Sequence, residues 1–146
     1  MSEQSDREQI ADLVHRYSDA VVHRARDQWV SCWAEDSLWD LGPDRVIVGR
    51  GAIADHWQES MDRIECVVQL VANGTASAND MTGEGRWYFS EHLRRRNGEL
   101  GMLLAYYDDS YVRHEDRWLF ASRRLRSVYH GPPDLSAAFL PPPPPD

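Results

Sequence analysis

At 146 residues, with 42% hydrophobic and 27% charged residues, the chain has the size and balance of one globular domain long enough to bury a core. A formal net charge of −8 opposes a phosphate backbone and argues against nucleic acid as a partner. No apolar run approaches the ~20 residues of a membrane span, and the polar start MSEQSDREQ is unlike a signal peptide, so a cytoplasmic protein with no membrane partner is expected.

Ser5 or Asp6 can cap a first helix that runs to about Arg24, because Ile10, Leu13, Val14, Tyr17 and Val21 recur on one helical face. A second helix is predicted from Asp27 to Ala34, carrying Trp29, Cys32 and Trp33. A strand from Ser37 to Leu41, a turn at Gly42-Pro43-Asp44 and a strand from Arg45 to Val48 follow. Gly49 and Gly51 break the chain before a third helix, Ala52 to about Arg63, which contains Trp57 and Met61.

Beyond Arg63 the pattern turns to long strands: Glu65 to Ser77, Gly83 to Arg95, Glu99 to His114 and Arg117 to Tyr129. The pairs Asn79-Asp80, Asn97-Gly98 and Glu115-Asp116 between them suit antiparallel hairpins. Helices followed by a meander is α+β segregation, which excludes a doubly wound parallel sheet. The run Arg94-Arg95-Arg96 reads as a solvated hairpin end. Residues 1–130 form the expected domain. Residues 131–146, ending in a proline run before Asp146, are expected as an extended surface tail that joins neither sheet nor helix.

Cys32 and Cys66 lack CxxC spacing and sit in apolar contexts, so two buried thiols are expected rather than a disulfide. The histidines show no HxH or HExxH arrangement, so neither a metal site nor a metal cofactor is expected.

The segments IADLVHRYSDAV, CWAEDSLWDLG, VGRGAIADHW, GEGRWYF, YYDDSYVRHEDRWLF and SRRLR stand in an order that resembles the SnoaL-like branch of the nuclear-transport-factor-two-like superfamily. Relatives there include ketosteroid isomerase, scytalone dehydratase, bile-acid dehydratase and polyketide cyclases. The resemblance covers about Gln9 to Pro132. It implies a cystatin-like roll, a cone in which three N-terminal helices pack on a curved, mainly antiparallel six-stranded sheet. It also implies a homodimer and a ligand buried between sheet and helices.

By the same resemblance Trp87 and Phe89 face that ligand. Strand alternation then adds Leu103, Tyr107 and Asp109 from the next strand, Arg123, Leu125 and Ser127 from the last, and Val67 and Gln69 from the third. Trp33, Trp39, Trp57, Met61 and Tyr17 would complete the wall. Dehydratases of the family use an Asp five residues after the first-helix Tyr to orient a third-strand His as base. Those positions are Val22 and Gln69 here, and neither can do that work. His23 lies about 100° further round the helix from Val22 and is a doubtful base.

The isomerase arrangement resembles the chain better. Tyr17 matches a tyrosine that donates to an enolate, and Asp109 matches an aspartic acid kept neutral by its apolar setting to donate a second hydrogen bond. Asp40 stands near the position of the carboxylate base but one residue out of phase. Two alternatives stay open. Asp109 could instead pair with Arg123 as a structural ion pair, and Glu91, in phase with Phe89 but near a strand end, reads as exposed. The function expected is a cofactor-independent lyase, isomerase or cyclase acting on a hydrophobic carbonyl compound of steroid, terpenoid or polyketide type. The alternative is a catalytically silent small-molecule-binding module.

Overall fold

The structure is a computed structural model and describes residues 4–145. Helix α1 spans Asp6–His23 and starts at a complete capping box. The Glu8 amide donates to Ser5 Oγ at 3.2 Å, and the Ser5 amide donates to the Glu8 carboxylate at 2.8 Å. Its buried stripe, Ile10, Leu13, Val14, Tyr17 and Val21, follows the helical period and packs on the sheet. Arg24 ends the helix in the left-handed region, at φ 55°.

Helix α2, Arg26–Val30, is shorter than its sequence pattern suggests, because Trp33 opens strand β1, Trp33–Asp40. The Trp33 ring is fully buried between Tyr17, Trp29, Trp39 and Phe120, and its backbone pairs with Phe120. Tertiary packing of a large aromatic residue outweighs one further turn of helix. Strand β2 is Val46–Val48 and helix α3 is Arg50–Asp62. Strands β3 (Ile64–Ala78), β4 (Thr82–Arg95), β5 (Leu100–His114) and β6 (Arg117–Gly131) complete the chain.

The strands form one six-stranded sheet in the order β2-β1-β6-β5-β4-β3. Every pairing is antiparallel except β1 with β6, which the crossover through α3 and the meander makes parallel. The helices cover one face, giving the expected α+β roll. Bulges bend it: β3 is irregular between Val71 and Gly74, and β6 slips by one residue between Ser127 and Tyr129. Gly74 is required by close approach, since a Cβ there would lie 2.3 Å from the Trp87 ring. The core is dense in aromatics, with Trp29 stacked on Trp57 at 4.7 Å and 11°.

Two expectations are corrected outside the cavity. Cys32 is buried, but Cys66 is exposed, because its β3 position faces away from the helices. The tail is not wholly free of the sheet either. Strand β1 pairs with β6 only as far as Arg124, so the end of β6 has an open edge. Phe139 forms an antiparallel bridge to Tyr129 there, and the Leu140 amide donates to the Val128 carbonyl at 2.7 Å. The Phe139 ring lies on that of Tyr129, which is fully buried. The prolines from 141 to 145 belong to no helix or strand, as their missing N–H groups require. No described helix is long and apolar enough to cross a membrane.

Candidate functional site

Strand alternation and antiparallel register place side chains on the helix-covered face in rows running across the sheet. The deepest row is Trp87, Tyr107 and Leu125; the next is Phe89, Ala105 and Ser127. A third row carries most of the polar groups: Gln69, Glu91, Leu103 and His130, one residue from each of β3, β4, β5 and β6. Between these rows and the helices lies a cavity of about 300 Å³. Tyr17 and Val21 of α1 and Trp57, Ser60 and Met61 of α3 close it, with Trp39 and Leu41 reaching in from the β1 side.

Of the residues expected to hold a ligand, Trp39, Trp57, Met61, Val67, Gln69, Phe89, Leu103, Tyr107 and Leu125 line this cavity, and Tyr17 joins them. Trp33, Trp87 and Arg123 do not. Trp33 is core, as its aromatic neighbours explain. Trp87 lies at the narrow end, where its indole donates to the Tyr111 hydroxyl at 2.9 Å and its ring fills the space above Gly74.

Arg123 and Asp109 form the ion pair that was left open as an alternative to a neutral Asp109. Arg123 Nε donates to Oδ1 at 2.8 Å, a terminal nitrogen donates to Oδ2 at 3.1 Å, and the Tyr111 hydroxyl donates to Oδ2 at 2.8 Å. The two side chains are 2% and 0% exposed. Burial pushes the Asp109 carboxyl up from its ordinary value, while Arg123 and Tyr111 act the other way. Burial likewise opposes the Arg123 charge, but Asp109 and the neighbouring tyrosines more than offset it, so its pKa is raised. Asp109 does not line the cavity, and its carboxyl is turned to Arg123 and Tyr111, from which it accepts three hydrogen bonds. The structure thus places Asp109 behind the cavity wall, not at the ligand-facing position that the isomerase-like reading gave it.

The remaining candidate bases are corrected as well. Asp40 faces away from the cavity that its neighbours Trp39 and Leu41 line, and its carboxylate accepts the Gly42 amide at 3.0 Å. No bulge turns it inward, because β1 keeps its register with β2 through Leu38, Trp39 and Asp40. His23 is exposed on α1 and pairs with Asp19 at 3.6 Å, outside the cavity.

The ion pair still shapes the site from behind. The Arg123 guanidinium lies 3.9 Å from the centre of the Tyr107 ring and 4.5 Å from that of Tyr17, holding both rings at the cavity floor. The two hydroxyls are 3.5 Å apart, and the Trp39 indole donates to that of Tyr107 at 3.4 Å. Burial raises the pKa of Tyr17 well above its ordinary value, with the nearby Tyr107 adding to it and Arg123 opposing. Burial raises Tyr107 too, against Arg123 and its hydrogen-bond partners. Both phenols thus keep their protons at neutral pH and can donate to a ligand oxygen.

Glu91 is the group that strand-end reasoning misplaced. It lines the cavity and is half-buried, because β3 continues alongside it and brings Gln69 opposite. Burial raises its pKa, while the Gln69 hydrogen bond and the charge of Arg95 lower it. Gln69 Nε2 donates to Glu91 at 3.2 Å, and Gln69 Oε1 accepts from Ser18 Oγ at 2.8 Å, so α1 fixes the amide and the amide fixes the carboxyl. The signal available in sequence was its parity with Trp87 and Phe89. His130, Arg45 and Arg95 also line the cavity and were missed. The slip in β6 turns His130 inward where unbroken alternation would have placed Tyr129. Among the described residues no cluster of His, Cys, Asp or Glu could hold a metal ion.

Solved structures share this fold. A protein of Novosphingobium aromaticivorans provisionally assigned as a scytalone dehydratase superposes with a TM-score of 0.80 at 18% identity, over 84% of each chain. The hexachlorocyclohexane dehydrochlorinase LinA-type3 of Novosphingobium barchaimii gives 0.77 at 19% identity, over 92% of this chain and 93% of that one. A provisionally assigned dehydratase of the NTF2-like family from Streptomyces avermitilis gives 0.73 at 16%, over 84% and 96%. No curated protein matches the sequence. The family model described as the SnoaL-like domain matches residues 2–124, which is most of the chain, and the protein belongs to that family.

Proposed function

We propose that the protein is a cofactor-independent lyase or isomerase that enolises a hydrophobic carbonyl compound, with Glu91 as the proton-transfer group and Tyr17 and Tyr107 as donors to the enolate oxygen. The observation that carries this reading is the pairing, in one apolar cavity, of a carboxyl whose pKa burial raises with two protonated phenols. A carboxyl shifted toward neutrality is a better base and a better acid at physiological pH. Donors already oriented in a dry site act most on charge that develops there. In the step itself Glu91 takes a proton from the carbon next to the carbonyl, the C–H electron pair becomes the C=C bond of the enolate, and the C=O π pair moves to the oxygen between the tyrosines. The enolate then collapses by returning the proton to another carbon, an isomerisation, or by expelling a β-leaving group, an elimination. A cavity of about 300 Å³ is at the lower end for small-molecule sites and suits one or two rings.

The solved neighbours described as dehydratases or a dehydrochlorinase support elimination chemistry as the class to test first. The departures at Val22 and Gln69 favour a second reading, a binding module without turnover. Deuterium uptake by 2-tetralone and related cyclic ketones in D2O separates the two. The enzyme reading expects exchange above the buffer rate, with Glu91→Gln lowering it by about 10²-fold or more. Binding without exchange across the panel would leave the module reading in its place.

A further inference from the structure

We infer that the mouth of the cavity takes an anionic group, so that the ligand is an amphiphile with a carboxylate or similar anion at one end and an apolar ring system at the other. This rests on the cavity being a small-molecule site, as proposed above, and adds the substrate class.

The lining is graded along the sheet. Tyr107 and Phe89 stand in the inner rows with Tyr17 and Trp39 beside them, the exposed His130 stands in the row of Glu91, Arg95 lies two rows further out, and Arg45 is exposed in the β1–β2 connection. Glu91 is the only carboxylate among the described lining residues. That balance runs against a chain whose formal net charge is −8, in which Asp and Glu outnumber Lys and Arg by 24 to 16. Arginines gathered at the opening of an apolar cavity in an otherwise acidic protein create a local positive potential that draws in and orients an anion.

The two arginines come from opposite sides. Arg45 stands in the β1–β2 connection, where its amide donates to Gly42 and its carbonyl accepts from Leu41. Arg95 is the last residue of β4. Neither is committed to a strong partner. Arg45 makes no ion pair among the described residues, and Arg95 meets the exposed Glu99 loosely at 3.5 Å. Arg95 lies four residues beyond Glu91 on the same face of β4, about 13 Å of backbone rise, so an anion held by Arg95 and a carbon reacting at Glu91 can belong to one small ligand.

The test is calorimetric titration of 2-naphthoate and its neutral near-isostere 2-naphthamide against the wild type and the Arg45→Gln/Arg95→Gln double variant. At low ionic strength the wild type is expected to bind the carboxylate about five- to tenfold more tightly, a ratio suited to partly solvated charge pairs, and to lose most of it in 0.5 M salt. In the double variant the two ligands should bind equally. Equal wild-type affinities, or a preference that survives the double substitution, overturn the anion inference and leave the apolar cavity standing. Binding of neither compound overturns the inference and the small-molecule site together.

Discussion

Replacing Asp109 with Asn keeps side-chain volume and removes one charge, which isolates what the buried ion pair contributes. In the native protein Arg123 donates to both carboxylate oxygens, at 2.8 and 3.1 Å, and Tyr111 donates to one of them at 2.8 Å. An amide has a single acceptor oxygen. Whichever way it is turned, its NH₂ group faces an Arg123 N–H, so one donor meets another and the guanidinium, 2% exposed, loses its counter-charge. Removing one partner of such a pair costs about 3–5 kcal/mol, because the other charge stays buried. For a domain of this size each kcal/mol lowers Tm by about 2–4 °C, so a drop of about 6–20 °C is expected in thermal unfolding followed by circular dichroism. The double substitution Asp109→Leu/Arg123→Leu should recover part of the loss, since it leaves no unpaired charge. The Asn variant should also slow ketone exchange, because Arg123 holds the Tyr107 and Tyr17 rings. An Asn variant within about 1 kcal/mol of wild type would refute this reasoning and return Asp109 to the role of a neutral hydrogen-bond donor.

Glu91 gives a pH-dependent prediction of the opposite sign. Its native pKa is raised above the ordinary 4.5 chiefly by burial, so between the two values the native state binds more protons and stability falls as pH rises. Glu91→Gln keeps an oxygen to accept from Gln69 and should be more stable than wild type at pH 7–8, an advantage that disappears below the unfolded pKa; Tm measured across pH checks this, and a variant less stable at every pH would count against it. Removing residues 141–146 should leave Tm unchanged, whereas ending the chain at Gly131 should lower it. The longer truncation loses the Leu140 hydrogen bond and the ring that covers Tyr129. Equal Tm values for the two truncations would mean that the Phe139 bridge contributes nothing.

The elements that local chemistry controls were legible in the sequence. Ser5, one of the two caps the sequence offers with Asp6, marks the start of α1, and the helical spacing of Ile10, Leu13, Val14, Tyr17 and Val21 names its buried face. Asn97-Gly98 and Glu115-Asp116 mark the hairpins because Gly, Asn and Asp accept the positive φ that tight turns demand, as Gly98 and Asp116 do here, with Glu115 drawn into the same region beside Asp116. With the facing side taken from the family resemblance at Phe89, strand parity assigned Val67, Gln69, Leu103, Tyr107 and Leu125 to the cavity wall.

What parity could not supply was depth, register and partner. Trp87 shares a face with Phe89, yet at the narrow end it is plug rather than wall, because Tyr111 and the bulge at Gly74 close over it. Glu91 shares that face too, and its burial depends on how far β3 extends beside it. His130 enters through a one-residue slip in β6 that no local pattern signals. The surroundings of Asp109 were set by burial and by Arg123, 14 residues away in sequence and directly opposite on the neighbouring strand. Local propensity is set by a few adjacent side chains, but a titratable group answers to whatever is packed against it, and in this protein those neighbours are brought together only when the sheet closes.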